Sequence, residues 1–173
     1  MYINITGQPG SGKTTVAKML AEKLHYDYIC SGDIFRQEAK RENKSLEEFS
    51  KMAEQDPSID KKLDETIVST VLKHSNAVID SRLAGILLKK KGKKVFIVKL
   101  EASLETRIER IKKRNEIEQV KAREDSEKLR YKTIYGINLD DESLYDMVLN
   151  TESMPIEEVL KAVEEAYRAW IPK

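Results

Sequence analysis

A phosphate-binding loop near the amino terminus constrains the fold more than any other feature of this sequence. Residues 7–14 read GQPGSGKT and fit the pattern G-x-x-x-x-G-K-[ST] at every position. Residues 2–6 before the loop alternate apolar and small polar side chains, whereas the apolar residues after it recur at helical spacing. A strand, a glycine-rich loop and a helix in this order predict a site for a nucleoside triphosphate.

Each residue type in the loop has a physical role in binding phosphate. The glycines permit a tight turn whose backbone N–H groups surround an anion. Lys13 can reach the β- and γ-phosphates, and the Thr14 hydroxyl can coordinate Mg²⁺. A glycine-rich turn without a ligand is the alternative, which the complete pattern in its strand–helix context disfavours. The residues expected to bind ATP here are Gly7, Gln8, Pro9, Gly10, Ser11, Gly12, Lys13, Thr14 and Thr15.

Composition excludes several classes of partner. The 173 residues carry 31 basic and 30 acidic side chains, so no bulk field attracts nucleic acid or an anionic membrane. No apolar run approaches the roughly 18 residues of a membrane span, and a strand beginning at residue 2 leaves no room for a leader. The single cysteine, Cys30, suits a reducing compartment. We therefore expect a cytoplasmic, single-domain protein with neither nucleic-acid nor membrane partners, and a monomer, because every apolar helix face has an intramolecular use.

Strand and helix patterns alternate along the chain, which predicts an α/β fold with a parallel sheet and helices on both faces. Strands are predicted at 2–6, 27–30, 76–80, 95–99 and 146–150. Three helical stretches within 31–75 exceed what a crossover needs, and predict a helical subdomain over the carboxyl edge of the sheet, where such sheets bind ligands. The charged, apolar-poor stretch 117–135 predicts a weakly held helix that moves as a lid.

A second phosphate site is indicated by SGDIFR at 31–36, directly after the second strand. Ser31 offers a hydroxyl, and Arg36 offers a bidentate fork to a phosphate dianion. A helix cap followed by a surface arginine is the alternative. A GTPase is disfavoured because no N-K-x-D type segment follows a strand, and motors and helicases normally have longer chains. Two phosphate sites, one for a donor and one for an acceptor, favour a kinase.

Taken together, these motifs resemble the cytidylate kinase family, in its short archaeal branch. The resemblance covers nearly the whole chain, and its most distinctive stretches are DPSIDKKLD, IDSRLAG and YKTIYGI. It implies a three-layer P-loop NTPase fold with a core (1–30, 76–114 and 137–173), an NMP-binding subdomain (about 31–75) and a small helical lid (about 115–136). It also implies transfer of the γ-phosphoryl group of ATP to CMP or dCMP, with Mg²⁺.

The same resemblance implies roles for individual charged residues. Asp80 matches a Walker-B-like carboxylate that holds Mg²⁺ together with Thr14; an aspartate that caps the next helix is the alternative. Glu127 is expected near the acceptor, although a solvated helix face is the alternative for it. The residues implied to stabilise the transferring group are Lys13, Arg82, Arg123 and Arg130. Those implied to bind the acceptor are Ser31, Asp33, Arg36, Arg82 and Glu127, and those implied to approach the adenine or the donor phosphates are Arg110 and Arg114.

The residue that reads the base is left open by the family pattern. Bacterial members carry an acid directly after the arginine that matches Arg82, and this chain has Leu83. Because cytosine presents an exocyclic amine, its reader should offer an acceptor. Asp60 and Asp64 are candidates, and an ordinary first-turn acid is the alternative for either.

Two competing functions remain at this point. Adenylate kinase also fits SGDIFR, but the D-G-[FY]-P-R type segment expected after its third strand reads DSRLA here. The competing function from a different class is a switch that hydrolyses ATP to move its lid. Such a switch would not need a second phosphate site, so the SGDIFR stretch disfavours it.

Overall fold

Five parallel strands form one sheet in the structure, a computed structural model that describes residues 1–112 and 120–171. In chain order they are β1 Tyr2–Gly7, β2 Asp27–Cys30, β3 Ala77–Asp80, β4 Val95–Glu101 and β5 Met147–Asn150. Their order across the sheet is β2-β3-β1-β4-β5, and each neighbouring pair is parallel. The predicted five-stranded parallel sheet is therefore confirmed.

Helices connect these strands as the sequence predicts. They are α1 Lys13–Leu24, α2 Ser31–Arg41, α3 Leu46–Gln55, α4 Pro57–Val71, α5 Ala84–Lys90, α6 Leu104–Lys112, α7 Val120–Tyr135 and α8 Ile156–Trp170. The start of α3 is fixed by a capping box, in which the side chains of Ser45 and Glu48 each accept a hydrogen bond from the other's backbone N–H. At the start of α4, Pro57 occupies the first turn behind the capping side chain of Asp56.

Apolar clusters on both faces of the sheet produce three layers. On one face α1 and α8 pack against the sheet, with Leu20 and Tyr167 fully buried. The ring of Trp170 is tilted against that of Phe96, with ring centroids 5.5 Å apart, so Trp170 anchors α8 to the sheet by packing. On the other face α4 and α5 bury their apolar residues against β3 and β4. In the part of the chain that the structure describes, no helix is long and apolar enough to span a membrane.

The three helices between β2 and β3 have a small apolar cluster of their own. Ala39, Phe49 and Leu63 are buried together, and the rings of Phe35 and Phe49 meet edge to face at 5.0 Å. This local packing allows α2, α3 and α4 to form a unit beside the carboxyl edge of the sheet. The division into core, subdomain and lid stays a prediction in its exact boundaries and its motions.

Candidate active site

The glycine-rich loop adopts the geometry that phosphate binding requires. Gly10 and Gly12 have positive φ angles of 81° and 91°, a region that residues with a side chain rarely adopt. A Cβ on Gly10 would lie 2.5 Å from the carbonyl oxygen of Arg107, because α6 packs directly against the loop. Since α1 begins at Lys13, the loop leads into the amino end of a helix, where backbone N–H groups and the helix dipole favour an anion.

Asp80 ends β3 beside this loop. Its backbone pairs in register with Ile5 of β1, and its carboxylate accepts hydrogen bonds from the hydroxyl of Thr14 at 2.6 Å and that of Tyr28 at 3.3 Å. The capping alternative for Asp80 is wrong, because the hydroxyl of Ser81 accepts the backbone N–H of Ala84 at the start of α5. Asp80 and Thr14 thus place a carboxylate and a hydroxyl side by side, the hard oxygen ligands that Mg²⁺ prefers.

Arg36 lies on the same side of the sheet as Asp80. Gly32 lies between Arg36 and Cys30, because a Cβ added to it would be 3.4 Å from Arg36 Nη1 and 3.6 Å from the Cys30 sulfur. That sulfur lies 3.7 Å from a carboxylate oxygen of Asp80. The guanidinium of Arg36 donates to Asp33 at 2.5 Å, and this hydrogen bond raises the arginine pKa. The arginine therefore borders the site and is held by an acidic neighbour.

The structure excludes the helix-cap alternative for Ser31 and places Cys30 beside polar atoms of the same site. The side chain of Ser31 does not cap α2, because Ser31 is already the first residue of that helix; its hydroxyl donates to the carbonyl oxygen of Asp80 at 3.1 Å. Cys30 is only half-buried, and its sulfur faces polar atoms of the same site. Both residues therefore belong to the polar lining at the carboxyl edge of the sheet.

Helix α7, the lid helix, lies across the cleft and brings two further arginines into ion pairs. Glu127 pairs with Arg82, which follows β3, and both side chains are almost fully buried. Arg130 donates through Nη1 to both carboxylate oxygens of Asp60 on α4, each at 3.0 Å. Burial excludes the solvated-face alternative for Glu127. Arg36, Arg82 and Arg130 are thus each paired with one carboxylate.

Asp64 lies one helical turn after Asp60 and is buried beside the lid helix. The hydroxyl of Tyr135 donates to Asp64 at 2.8 Å. Burial raises the pKa of the Asp64 carboxyl to about 7, with a smaller contribution from the negative charge of Asp60. Burial also raises the pKa of Asp60, and the Arg130 guanidinium counteracts that rise. Asp64 can therefore exchange a proton near neutral pH.

The donor side of the cleft is closed by α6 and the loop after β5. Arg110 donates to the backbone carbonyl of Thr151 at 2.7 Å and to its hydroxyl at 3.1 Å, next to the carbonyl of Gly10. This places the Arg110 guanidinium beside the phosphate-binding loop. Arg114 and the side chain of Arg123 lie outside the described residues.

Sequence reasoning missed three residues of this region. Arg107 is buried between the loop and the lid helix, Glu124 of the lid helix faces it, and Tyr135 faces Asp64. No local pattern distinguishes Arg107 and Glu124 from the other charged residues of their helices. YKTIYGI had marked the region of Tyr135 as distinctive, but not its partner.

Comparison with known proteins finds cytidylate kinases that are similar to this chain over nearly its whole length. The model of the cytidylate kinase-like family matches residues 2–153. The cytidylate kinase of Methanocaldococcus jannaschii is 45% identical over 173 residues, covering 96% of this chain and 97% of that protein. The cytidylate kinase of Methanococcus aeolicus is 41% identical over 174 residues, covering 96% and 97%. The fold is shared with a structure of shikimate kinase from Acinetobacter baumannii in complex with shikimate, which has a TM-score of 0.65. The two chains are 15% identical, and the match covers 99% of this chain and 95% of that one.

Proposed function

This chain belongs to the cytidylate kinase-like family, and from that premise we propose that it transfers the γ-phosphoryl group of ATP to CMP or dCMP. The products are ADP and CDP or dCDP. The observation that carries the assignment is the 45% identity to an archaeal cytidylate kinase over almost the full length of both chains. The arrangement of the cleft supports it, because a phosphate-binding loop and a set of oriented arginines border the same space.

On the donor side, the loop binds the phosphates of ATP. Backbone N–H groups of residues 7–14 surround the β-phosphate, and Lys13 neutralises charge on the β- and γ-phosphates. Arg110 lies beside the loop and is positioned to approach the donor nucleotide. We propose that Thr14 and Asp80 hold Mg²⁺, whose chemical contribution is to offset negative charge on the phosphate oxygens. Their adjacent oxygen atoms fit this ion.

On the acceptor side, Arg36 and Arg82 bind the phosphate of CMP. A guanidinium has five N–H donors, so an arginine that a carboxylate orients can also bind a phosphate. A phosphate oxygen of CMP then attacks the γ-phosphorus in line. Arg130, with Arg123, stabilises charge on the transferring group, so no side chain needs to act as a nucleophile.

We assign recognition of the cytosine to Asp64 and Asp60. The exocyclic amine of cytosine donates hydrogen bonds, and a buried carboxylate accepts them. Asp60 accepts from Arg130 on both of its oxygens, whereas Tyr135 donates to the Oδ2 atom of Asp64. Asp64 is therefore the stronger candidate, with Asp60 acting mainly through Arg130.

We further propose that the protein works as a cytoplasmic monomer without nucleic-acid or membrane partners. The net charge of +1 supports this, because it provides no field for a polyanion. Among the described residues, the exposed large apolar side chains are scattered over different helices, so they do not form a docking patch. These four are Leu46, Leu72, Leu104 and Leu129.

A coupled assay with ATP and single acceptors tests the substrate assignment. We expect the highest kcat/KM for CMP or dCMP, lower values for UMP, and the lowest for AMP. Preferential turnover of AMP would overturn the assignment in favour of an adenylate kinase. ATP hydrolysis without any phosphorylated nucleotide product would instead indicate a nucleotide-dependent switch.

A further inference from the structure

Glu124 of the lid helix has an environment that phosphate binding alone does not explain. Its carboxylate accepts hydrogen bonds from Gln8 of the donor loop at 2.5 Å and from Arg107 of α6 at 3.1 Å, and Lys128 lies 3.2 Å away. Only 8% of Glu124 is exposed. One carboxylate therefore joins the lid helix to two other parts of the molecule.

Arg107 is a fixed anchor for this carboxylate. It is 4% exposed, and its guanidinium also donates to the backbone carbonyls of Pro9 and Ala102, each at 3.2 Å. The backbone of Arg107 also packs closely on the donor loop, because a Cβ added at Gly10 would lie 2.5 Å from the carbonyl oxygen of Arg107. A carboxylate bound to Arg107 is thus bound to the donor loop.

Two other buried contacts of the lid helix involve groups that substrates engage, whereas its contacts from Ser126 to Glu54 and from Lys128 to Asp140 are exposed. Glu127 pairs with Arg82, and Arg130 pairs with Asp60. When nucleotides occupy the cleft, these arginines also bind phosphate, so their contacts with the lid helix are redistributed. The side chains of Gln8 and Arg107 face Glu124 instead, and this contact can persist throughout the reaction.

We propose that Glu124 is a positioning residue that docks the lid helix onto the donor loop through Gln8 and Arg107. Docking fixes the lid arginines relative to the γ-phosphate and excludes water from it. Within the described residues of the lid helix, Tyr131 and Tyr135 pack against the core, whereas Leu129 is 67% exposed. The buried charge pairing of Glu124 therefore attaches the helix at the end opposite to these tyrosines. This inference deepens the proposed kinase function and rests on it.

The test replaces Glu124 by Gln, which keeps the size of the side chain but removes the charge that Arg107 faces. Asp125→Asn is the matched control, because Asp125 is the next residue of the same helix, is exposed and loses the same charge. For Glu124→Gln we expect KM for ATP to rise about tenfold and kcat to fall. We also expect ATP hydrolysis without acceptor to increase relative to phosphoryl transfer by about tenfold. The control should stay within about twofold of wild type.

These readouts separate positioning from a purely structural role. If Glu124 only stabilised the fold, Glu124→Gln would lower the melting temperature while leaving kcat, KM for ATP and the hydrolysis-to-transfer ratio of the folded enzyme unchanged, and the proposal would be refuted. If Glu124→Gln does not fold, Gln8→Ala decides the matter. It removes the partner on the loop and should raise the hydrolysis-to-transfer ratio, and an unchanged ratio refutes docking.

Failure of the inference can be distinguished from failure of the proposed function. A wild-type enzyme that does not phosphorylate CMP or dCMP contradicts the function. The lid comparison is then made with whichever acceptor the wild-type enzyme does phosphorylate, or with ATP hydrolysis alone. Equal ATP kinetics in wild type and Glu124→Gln contradict the inference, whatever the acceptor.

Discussion

Replacing Asp64 by Asn tests the electrostatics of the base-reading region through the stability of the whole protein. Asp64 is 8% exposed, and burial raises the pKa of its carboxyl from 3.8 to about 7 in the folded state. In the unfolded chain the carboxyl is solvated and its pKa returns to about 3.9. Between these two pKa values, the folded protein therefore holds a proton on Asp64 more tightly than the unfolded chain does. This contribution to the free energy of unfolding is complete below about pH 4 and is lost as pH rises through about 7.

The size of the effect follows from the shift of the pKa. Three pKa units correspond to about 4 kcal/mol between the extremes, at about 1.4 kcal/mol per unit. Between pH 5 and pH 8 the same two pKa values give a loss of about 2.5 kcal/mol. Asn at position 64 still accepts the hydrogen bond from Tyr135 but does not titrate. We expect the unfolding free energy of the wild type to fall by about 2.5 kcal/mol more than that of Asp64→Asn over this range.

Urea unfolding followed by circular dichroism at pH 5, 6, 7 and 8 measures this difference. Glu65→Gln is the control, because Glu65 is the adjacent residue of α4 and is exposed. Its stability difference from wild type should vary little with pH. A difference between wild type and Asp64→Asn that stays constant from pH 5 to pH 8 would refute the assignment of a proton-exchanging, buried carboxyl at Asp64.

Three further substitutions test the phosphate and metal sites. Arg36→Met should raise KM for CMP at least tenfold with little change in KM for ATP. The control Arg41→Met, on the same helix, should change neither KM. A larger effect of Arg36→Met on KM for ATP than on KM for CMP would place Arg36 on the donor side. Asp80→Asn should raise the Mg²⁺ concentration needed for half-maximal activity, which a magnesium titration measures. An unchanged Mg²⁺ requirement would show that Asp80 does not hold the metal. Arg82→Met should lower kcat about 10³-fold with an unchanged circular dichroism spectrum, and a loss confined to KM would limit Arg82 to binding.

The fold could be predicted from the sequence because its determinants are local. The period of apolar residues separates strands from helices, and residues such as the capping Ser45 and the first-turn Pro57 mark where helices begin. The loop at 7–14 is likewise readable, since every contact that it makes with phosphate depends on residue types within eight positions. Resemblance to a family then predicted the acceptor, which the residues alone had left open between CMP and AMP.

The pairing of charges could not be predicted, because it depends on how α7 crosses the cleft. Glu127 was expected near the acceptor, but no pattern predicted its partner Arg82, a residue 45 positions earlier. Arg107 is among the most buried charged residues described, although its sequence neighbourhood resembles a solvated helix face. Such contacts are set by the packing of distant elements, and a helical spacing of charges indicates only which side chains share a face.

The pairing of each acceptor-side arginine with a carboxylate has a consequence for how nucleotides arrive. Arg36, Arg82 and Arg130 together with their three acidic partners carry no net charge. These six groups together exert little attraction on anions beyond one Debye length, about 8 Å at physiological ionic strength. Discrimination then takes place at contact, through guanidinium geometry, and the rate of CMP association should depend only weakly on salt. Long polyanions gain nothing from such a surface, whereas a single phosphate that fits between the arginines gains several directed hydrogen bonds.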